Sequence, residues 1–300
     1  MINYLSTEKH GYTIQRFVDG PGAALAGHVA AHAYEDVLAR DPATLPGGVW
    51  IFTDFDRISP DAAAAAARVW RALQARGCRM LNHPTRSLRR YALLRRLRAE
   101  GINDFGAYHV SDLRLPDRYP VFIRRSDAHS GPATELLASR RKLQRILDDV
   151  RARAWPIDAF VTVEYQDTRG ADGRYRKYGV MKVADRIFPV QVLTADAWIN
   201  KRGTAARWTP DVVAAELAYF RDNPHREAVE NVFRLAGMEY GRIDFGLTEG
   251  RIQVWEINGN PSFTGSTPRV PERAEATAIA NRMLVDALLA LDLAHGEAGR

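Results

Sequence analysis

The sequence predicts a mixed α/β and α+β fold, and three observations support this prediction. Residues 49–82 read as a strand, an alanine-rich helix and a second strand, which is the order of a small parallel α/β layer. Residues 175–193 read as a β-hairpin, and two helices follow it at 210–236. Residues 240–257 read as a second hairpin that leads into a polar segment. The chain is therefore expected to begin with an α/β unit and to continue as α+β units.

Residues 1–84 are expected to form the small N-terminal α/β domain. The predicted elements are, in order, a helix at Ala23–Arg40, a strand at Val49–Asp54, a helix at Pro60–Arg76 and a strand at Arg79–Asn82. The Ser59-Pro60 pair is a typical helix start. Asp54 and Asp56 follow the first strand and can either act as caps or contact a substrate. Capping is the favoured interpretation.

Two α+β lobes are expected in the rest of the chain, a small one at 85–160 and a large one at 161–300. The predicted elements of the small lobe are a helix at Arg86–Glu100, a strand at Tyr119–Arg124 and a helix at Ala133–Arg153. The predicted elements of the large lobe are strands at Val161–Tyr165, Tyr175–Ala184 and Arg186–Leu193, helices at Pro210–Arg221 and Pro224–Ala236, strands at Tyr240–Leu247 and Arg251–Ile257, and a helix at Glu272–Leu293.

The composition excludes several classes of protein. A hydrophobic content of 46% and a charged content of 26% are ordinary for a globular chain of 300 residues. No apolar run of about eighteen residues is present, so neither a membrane span nor a membrane partner is expected. The first residues lack the apolar segment of a signal peptide, which predicts a cytoplasmic protein. The single cysteine, Cys78, excludes an internal disulfide and is interpreted as a small buried or half-buried residue.

The net charge of +6 raises the question of nucleic acid binding. The basic residues are spread along helices that also carry acidic and apolar residues, and aromatic residues do not alternate with them. The densest group, Arg86–Arg98, has leucines at helical spacing, so a solvated helix face is the favoured interpretation. Attraction of anionic substrates is the alternative. Nucleic acid is not expected as a partner.

Residues 241–263 carry the most specific chemical signal. A turn at Glu249–Gly250 would bring Asp244 on one strand opposite Glu256 on the next. Asn258 would lie on the same face as Glu256, two residues further on. Two carboxylates and an amide in an apolar setting require cations or hydrogen bonds, and Mg²⁺ is commonly held by two carboxylates together with phosphates. The alternative is a hairpin whose polar residues face solvent.

This segment resembles the metal-binding end of the ATP-grasp superfamily, in which Arg-x-Asp is followed by Glu-x-Asn-x-Asn-Pro. Arg242–Asp244 and Glu256–Pro261 match these patterns residue by residue. The resemblance implies the ATP-grasp fold, with two lobes that enclose ATP. It also implies that Asp244, Glu256 and Asn258 hold two Mg²⁺ ions, or Mn²⁺ in their place. Arg242 is implied to be catalytic and to contact the phosphate that is transferred.

The resemblance further assigns phosphate-binding positions. Family members usually carry two lysines where this chain has Arg90 and Arg124. Arginine retains the charge but presents a planar fork of donors in place of an ammonium group. Arg124 is also assigned to catalysis. The glycine-rich flap of the family corresponds to residues 126–131, in which Ser130 and Gly131 are assigned to the cofactor.

The remaining assignments concern the base, the ribose and a basic strand. Residues 161–165 resemble the family's inter-lobe hinge, so Glu164 and Tyr165 are expected at the adenine. Asp167 is either a ribose contact or a turn residue. Lys177 is expected to face the phosphates, with Arg176 as the alternative. His129 in the flap can contact phosphate or substrate, although this is not the favoured interpretation. Ser262 and Thr264 lie where the acceptor pocket is expected.

These observations favour an ATP- and Mg²⁺-dependent ligase. It would join a carboxylate to an amine through an acyl phosphate and would release ADP and phosphate. The expected partners are small-molecule or peptide carboxylates and amines, and a homodimer is compatible with the sequence. An ATP-grasp kinase and a nucleotide-binding module with little turnover are the alternatives, the second because both usual lysines are replaced.

Overall fold

The computed structural model describes residues 1–112, 114–127, 131–153, 159–199, 208–263 and 271–298. In these ranges the strands form three sheets: one parallel sheet at the N-terminus and two antiparallel sheets. No helix in the described ranges has the length and apolar character needed to cross a membrane. The mixed α/β and α+β fold is therefore confirmed.

The N-terminal sheet contains four parallel strands in the order β2-β1-β3-β4. Its elements are, in chain order, β1 (Ile2–Ser6), α1 (Tyr12–Val18), β2 (Val29–Ala33), α2 (Tyr34–Leu38), β3 (Val49–Phe52), α3 (Pro60–Ala75) and β4 (Arg79–Leu81). From β1 the chain continues to β2 on one side of β1, and it then crosses to β3 on the other side. The carboxyl ends of β1 and β3 therefore flank a topological switch point, where ligands commonly bind in such sheets.

The first 45 residues contain the largest error of the sequence prediction. The helix expected at Ala23–Arg40 is wrong, because this segment contains strand β2 and the short helix α2. The three alanines of β2 favour a helix by propensity, but parallel pairing with β1 overrides that preference. Strand β1 was not predicted. All five of its residues are buried, so it lacks the alternation that marks a half-exposed strand.

The predicted strand–helix–strand unit is confirmed, with ends one or two residues shorter than expected. Helix α3 begins at Pro60, and the Ser59 Oγ accepts a hydrogen bond from the Ala62 amide at 3.1 Å. Neither Asp54 nor Asp56 caps this helix, so the capping interpretation is wrong. Cys78 is buried, as expected.

The small lobe contains an antiparallel sheet in the order β5-β7-β6. Its elements are, in chain order, α4 (Arg90–Ala99), β5 (Ala107–His109), β6 (Val121–Arg125), α5 (Arg140–Ala152) and β7 (Phe160–Glu164). The helix expected from Ala133 begins only at Arg140, because residues 132 and 137 form isolated bridges with β6. Strand β7 pairs with both other strands, so the boundary expected after residue 160 falls inside a strand of this sheet.

The large lobe contains an antiparallel sheet in the order β11-β10-β8-β9. Its elements are, in chain order, β8 (Tyr175–Val183), β9 (Arg186–Ala195), α6 (Pro210–Asp222), α7 (Arg226–Ala236), β10 (Tyr240–Thr248), β11 (Arg251–Asn258) and α8 (Ala274–Ala298). Both predicted hairpins are confirmed. Leu284 and Leu288 of α8 share a buried cluster with Ile2, Ile51 and Met181, so this helix packs between the N-terminal sheet and the large sheet.

Asn82, directly after β4, joins the N-terminal sheet to the start of β10. Its side-chain amide donates to the carbonyls of Phe52 and Tyr240, both at 3.0 Å. Its Oδ1 accepts from the Glu239 and Tyr240 amides at 2.9 and 3.1 Å. The residue has a left-handed backbone (φ 60°), which asparagine adopts more readily than most residues. The first residue of β10 is thus fixed by a buried side chain of the N-terminal sheet.

Candidate active site

The β10–β11 hairpin brings the two predicted carboxylates together. Asp244 is directly opposite Glu256 in the strand register. Both residues of the Glu249–Gly250 turn have positive φ angles, 50° and 76°, which matches the right-handed twist of the strands. The register shifts after Asp244, so Trp255 is an additional residue that has no counterpart on β10. This bulge explains how Trp255 and Glu256, which are adjacent, both line the same cavity.

Asp244 is 2% exposed and is paired with two cations. Its Oδ1 accepts from the Arg242 Nε at 2.8 Å, and its Oδ2 lies 3.4 Å from the Lys177 Nζ. Burial would raise the pKa of Asp244, but the charges of Arg242 and Lys177 outweigh it and hold that pKa below its usual range. Burial likewise opposes the charge of Arg242, and the carboxylate of Asp244 raises the pKa of Arg242. Asp244 and Arg242 are therefore both ionised at neutral pH.

Glu256 is paired with two arginines of the small lobe. Its Oε2 accepts from Nη2 of Arg90 and, at 3.2 Å, from Nη2 of Arg124. Burial lowers the pKa of Arg124 to about 10, against the opposing effect of Glu256. Arg90 is 4% exposed and also donates to the carbonyls of Arg125 and Ser126, at 3.1 and 2.9 Å. It thereby connects Glu256 to the start of the flap.

The third predicted metal ligand, Asn258, is 6% exposed and is held by its own chain. Its Oδ1 accepts from the Asn260 amide at 3.0 Å. Among the described residues no cluster of three or more His, Cys, Asp or Glu side chains is suited to a metal. Two carboxylates and one amide oxygen are hard oxygen donors, and they suit Mg²⁺ when phosphate oxygens complete the coordination. The donor set therefore fits the ion that the sequence predicts.

A cavity of about 150 Å³ lies next to these charges. Its apolar lining consists mainly of the side chains of Phe105, Phe122, Val163, Trp198 and Trp255. The Phe122 and Trp198 rings are 5.1 Å apart between centroids. Its charged lining includes Arg124, Lys177, Asp244 and Glu256.

The residues assigned to the base, Glu164 and Tyr165, lie at the cavity, but the Glu164 carboxylate and both backbone amides are already engaged. The Glu164 carboxylate accepts from the Gly106 amide at 2.8 Å and from the Tyr108 hydroxyl at 3.0 Å. The amides of Glu164 and Tyr165 donate to the carbonyls of Gly106 and Pro120. Glu164 thus stabilises the small lobe from within, and the two residues line the cavity without directing these groups into it.

The remaining assignments divide into three groups. Gly131 lines the cavity. Asp167 and Arg176 do not line it: Asp167 is paired with Arg169, and Arg176 with Asp172. Ser130, His129 and Thr264 lie outside the described residues.

The aromatic lining and the role of Asn260, a polar residue near Asn258, were not predicted from the sequence. Trp198, Phe105 and Phe122 are far apart in the sequence, so no local pattern predicts their meeting. Trp255 is different, because it is adjacent to a predicted metal ligand. Asn260 was part of the matched motif but received no role.

Solved structures with a similar fold include D-alanine–D-alanine ligases and an ATP-grasp protein. A D-alanine–D-alanine ligase from Bacillus anthracis, solved with ATP, superposes with a TM-score of 0.56 at 14% identity, over 99% of this chain and 98% of that chain. The ligase of the same name from Coxiella burnetii gives 0.56 at 16% identity, over 99% and 96%. A RimK domain ATP-grasp protein from Sphaerobacter thermophilus gives 0.52 at 14% identity, over 96% and 100%. This chain has the ATP-grasp fold.

Sequence comparison gives a more distant relationship. No family model matches this chain. A D-alanine–D-alanine ligase from Pediococcus pentosaceus is 24% identical over 194 residues, which cover 62% of this chain and 52% of that protein. The chain thus spans about half the length of the curated relative it matches. The resemblance to the ATP-grasp superfamily is confirmed at the level of the fold.

Proposed function

We propose that this ATP-grasp chain is an ATP- and Mg²⁺-dependent ligase that joins a carboxylate to an amine through an acyl phosphate. One observation carries the proposal. Four cationic side chains meet two opposed carboxylates beside an aromatic cavity. The cations are Arg90, Arg124, Lys177 and Arg242, and the carboxylates are Asp244 and Glu256.

The aromatic part of the cavity suits a planar base. Phe122, Trp198 and Trp255 offer the apolar surfaces on which such a ring packs. Gln166, which also lines the cavity, supplies a polar group for its edge. We therefore expect Gln166 and the aromatic side chains to contact the base. The backbone amides of the hinge residues Glu164 and Tyr165 are engaged elsewhere.

The charged part of the cavity suits a polyanion. The ion-pair cluster around Asp244 and Glu256 contains four cations and two carboxylates, which leaves an excess of two positive charges. Two of these cations, Arg124 and Lys177, line the cavity itself. Without a ligand, the cations pair with the carboxylates. When a metal–triphosphate complex binds, the carboxylates can turn to the metal while the cations turn to phosphate oxygens. Arg90 and Arg124 are well suited to this exchange because guanidinium groups bind carboxylate and phosphate in the same planar geometry.

Asp244, Glu256 and Asn258 would hold the metal. A bound Mg²⁺ ion supplies charge neutralisation for phosphate oxygens during transfer. Arg242, held 2.8 Å from Asp244, would add a fixed positive charge at the phosphate that moves. These residues act by position and charge, which is how most phosphoryl transfer is catalysed.

The reaction balances in two steps. First, an oxygen of the substrate carboxylate attacks the γ-phosphorus of ATP, and ADP leaves with the bonding electrons. Second, the amine attacks the carbonyl carbon, a C–N bond forms, and phosphate leaves with the electrons of the C–O bond. The amine releases its proton to solvent. Because two of the fold neighbours named above are D-alanine–D-alanine ligases, amino acids or short peptides are the first acids and amines to test.

Nucleotide binding is tested by thermal unfolding with ATP and Mg²⁺. Ligand at about a hundred times its dissociation constant should stabilise the wild type by roughly 2.7 kcal/mol. The stabilisation should be lost in Glu256→Gln and Asn258→Ala. Glu249→Gln, which removes the same charge at the turn of the same hairpin, is the control and should behave as wild type. Stabilisation that survives in both site variants would contradict the proposed site.

The reaction type is tested separately by incubation with ATP, Mg²⁺ and pools of acids and amines. Hydroxylamine should trap an acyl phosphate as a hydroxamate when the amine is left out. A phosphorylated product that is stable to hydroxylamine would instead identify a kinase.

A further inference from the structure

We propose that Asp54 of the N-terminal sheet is a positioning residue for the metal ligand Asn258, acting through Asn260. This inference rests on the proposed function and adds to it a role for the N-terminal domain. Asp54 and Asn260 are 3% and 4% exposed, and neither belongs to the cavity lining described above.

Asn260 is held on every polar atom of its side chain. Its Oδ1 accepts from the Tyr4 hydroxyl at 2.9 Å and from the Thr13 hydroxyl. Its Nδ2 donates to the Asp54 Oδ2 at 3.0 Å and to the His10 carbonyl at 3.3 Å. All four partners belong to the N-terminal domain. The segment that follows β11 is therefore fixed from outside its own lobe.

Asp54 is the acceptor at the centre of this network. Its Oδ2 also accepts from the Thr7 amide and hydroxyl, at 3.2 and 3.0 Å, while its Oδ1 pairs with Arg57. Thr7 directly follows β1 and Asp54 lies two residues beyond the end of β3, so the network sits at the topological switch point. The backbone of Asp54 is left-handed (φ 53°), a conformation with a steric cost that its several hydrogen bonds offset.

The network acts on the metal site through one hydrogen bond. The backbone amide of Asn260 donates to the Asn258 Oδ1 at 3.0 Å. An amide oxygen has two lone pairs, so Asn258 keeps one for a cation while the hydrogen bond fixes its direction. Partners of this kind orient metal ligands, and their loss typically weakens metal binding about 10–100-fold.

The competing explanation is that Asp54 only links the N-terminal sheet to the segment after β11 and has no effect on the metal ligand. The fold contains a second link of this kind, which serves as a control. Asn82 follows the neighbouring strand β4, has a similar left-handed backbone, and binds the start of β10 through the backbone of Tyr240. It has no hydrogen bond to a proposed metal ligand among those that the structure describes. Replacing Asn82 therefore measures the stability that is lost when one link between the N-terminal sheet and the hairpin is removed. The orientation of Asn258 is not affected by this replacement.

The experiment compares three variants by thermal unfolding with ATP at fixed concentration and Mg²⁺ varied. Asp54→Gly removes the side chain from a left-handed position that glycine accepts without strain. We expect it to raise the Mg²⁺ concentration for half-maximal stabilisation about 10–100-fold. Asp54→Asn keeps an acceptor for Asn260 and should restore most of the wild-type requirement. Asn82→Gly should lower the unfolding temperature and leave the Mg²⁺ requirement unchanged.

The outcomes separate the inference from the proposed function. If the wild type shows no Mg²⁺-dependent stabilisation by ATP, the proposed function is wrong and the inference falls with it. If the wild type responds and the Mg²⁺ requirement of Asp54→Gly equals that of Asn82→Gly, Asp54 is only structural. If Asp54→Gly does not fold, Tyr4→Phe removes one donor to Asn260 at almost constant shape. An unchanged Mg²⁺ requirement in Tyr4→Phe would then overturn the inference.

Discussion

At the scale of single residues, the exchange of the usual lysines for Arg90 and Arg124 has a physical rationale in their burial. Both guanidinium groups lie in the protein interior against Glu256. Burial disfavours a charged group, and arginine is the side chain best able to remain charged there. The sequence alone identified the exchange but could not indicate its reason, because burial of these side chains depends on how the lobes meet.

Replacement of Arg124 by lysine should make nucleotide binding sensitive to high pH. Burial lowers the pKa of Arg124 to about 10, well below the usual value of an arginine. A lysine begins from about 10.4, so the same burial would bring its pKa near the working range. Because the charged form lies below that pKa, phosphate attraction should weaken as pH rises from about 7 to 9. Isothermal titration with Mg-ATP across this range measures the effect.

The control for that experiment is Arg125→Lys, the next residue on β6, whose side chain is exposed and paired with Asp127. It should bind as wild type at every pH. Binding by Arg124→Lys that stays constant between pH 7 and 9 would show that the lysine remains charged at this position.

Gly246 should be intolerant of a side chain because of a close approach behind the cavity. A Cβ atom there would lie 2.8 Å from the Trp255 ring and 2.9 Å from Thr168. Both neighbours line the cavity. Gly246→Ala should displace them and cost about 1–3 kcal/mol, with weaker ATP binding. Gly47→Ala, where nothing lies within 4 Å, is the control. Equal ATP affinity in the two variants would contradict this reading of the cavity.

At the scale of elements, sequence reading succeeded where a pattern is local and failed where it is not. The β10–β11 turn, the register of Asp244 with Glu256 and the start of α3 all follow from residues close in sequence. The bulge at Trp255 and the burial of β1 depend on neighbours that the sequence does not identify. Of the site, the charged residues were therefore predictable, whereas the aromatic lining and the role of Asn260 were not.

Folding stability should depend on pH through His225, which lies at the N-terminus of helix α7. This side chain packs against the rings of Tyr219 and Phe245. Burial lowers the pKa of His225 below its usual 6.5, despite a backbone hydrogen bond with Gly250 that opposes the shift. The folded state therefore favours the neutral ring. Its contribution to stability is complete above about pH 6.5 and is lost as pH falls through the lowered pKa.

The measurement is the free energy of unfolding by urea at pH 7.5 and pH 5.5, in wild type and in His225→Asn. Asparagine is a suitable residue at a helix N-terminus and does not titrate. The decrease between the two pH values should be smaller in the variant. An equal decrease would assign the pH dependence to other groups.

At the scale of the whole molecule, the N-terminal sheet holds both ends of the β10–β11 hairpin. Asn82 binds the backbone at Tyr240, where the hairpin begins, and Asp54 binds Asn260, just beyond its end. The two anchoring residues follow adjacent strands. The hairpin that carries the proposed metal ligands is therefore built against the N-terminal domain as well as against its own sheet.

Loss of the first anchor should destabilise the entire fold. Asn82→Gly removes the side-chain partner of four backbone groups: the carbonyls of Phe52 and Tyr240 and the amides of Glu239 and Tyr240. The expected cost is about 2–4 kcal/mol, since each unsatisfied buried group costs about 1–3 kcal/mol and some retain backbone partners. Urea unfolding measures this cost. A change below about 0.5 kcal/mol would show that the junction tolerates solvent.

The pairing of the site's cations with its carboxylates determines what the ligand-free protein can load. A divalent ion that arrives alone must compete with two arginines for Glu256 and with Arg242 and Lys177 for Asp244. An ion that arrives bound to a triphosphate brings phosphate oxygens with it. These oxygens can pair with the cations when the ion takes the two carboxylates as ligands. We therefore expect the metal–nucleotide complex to bind more tightly than the free metal ion.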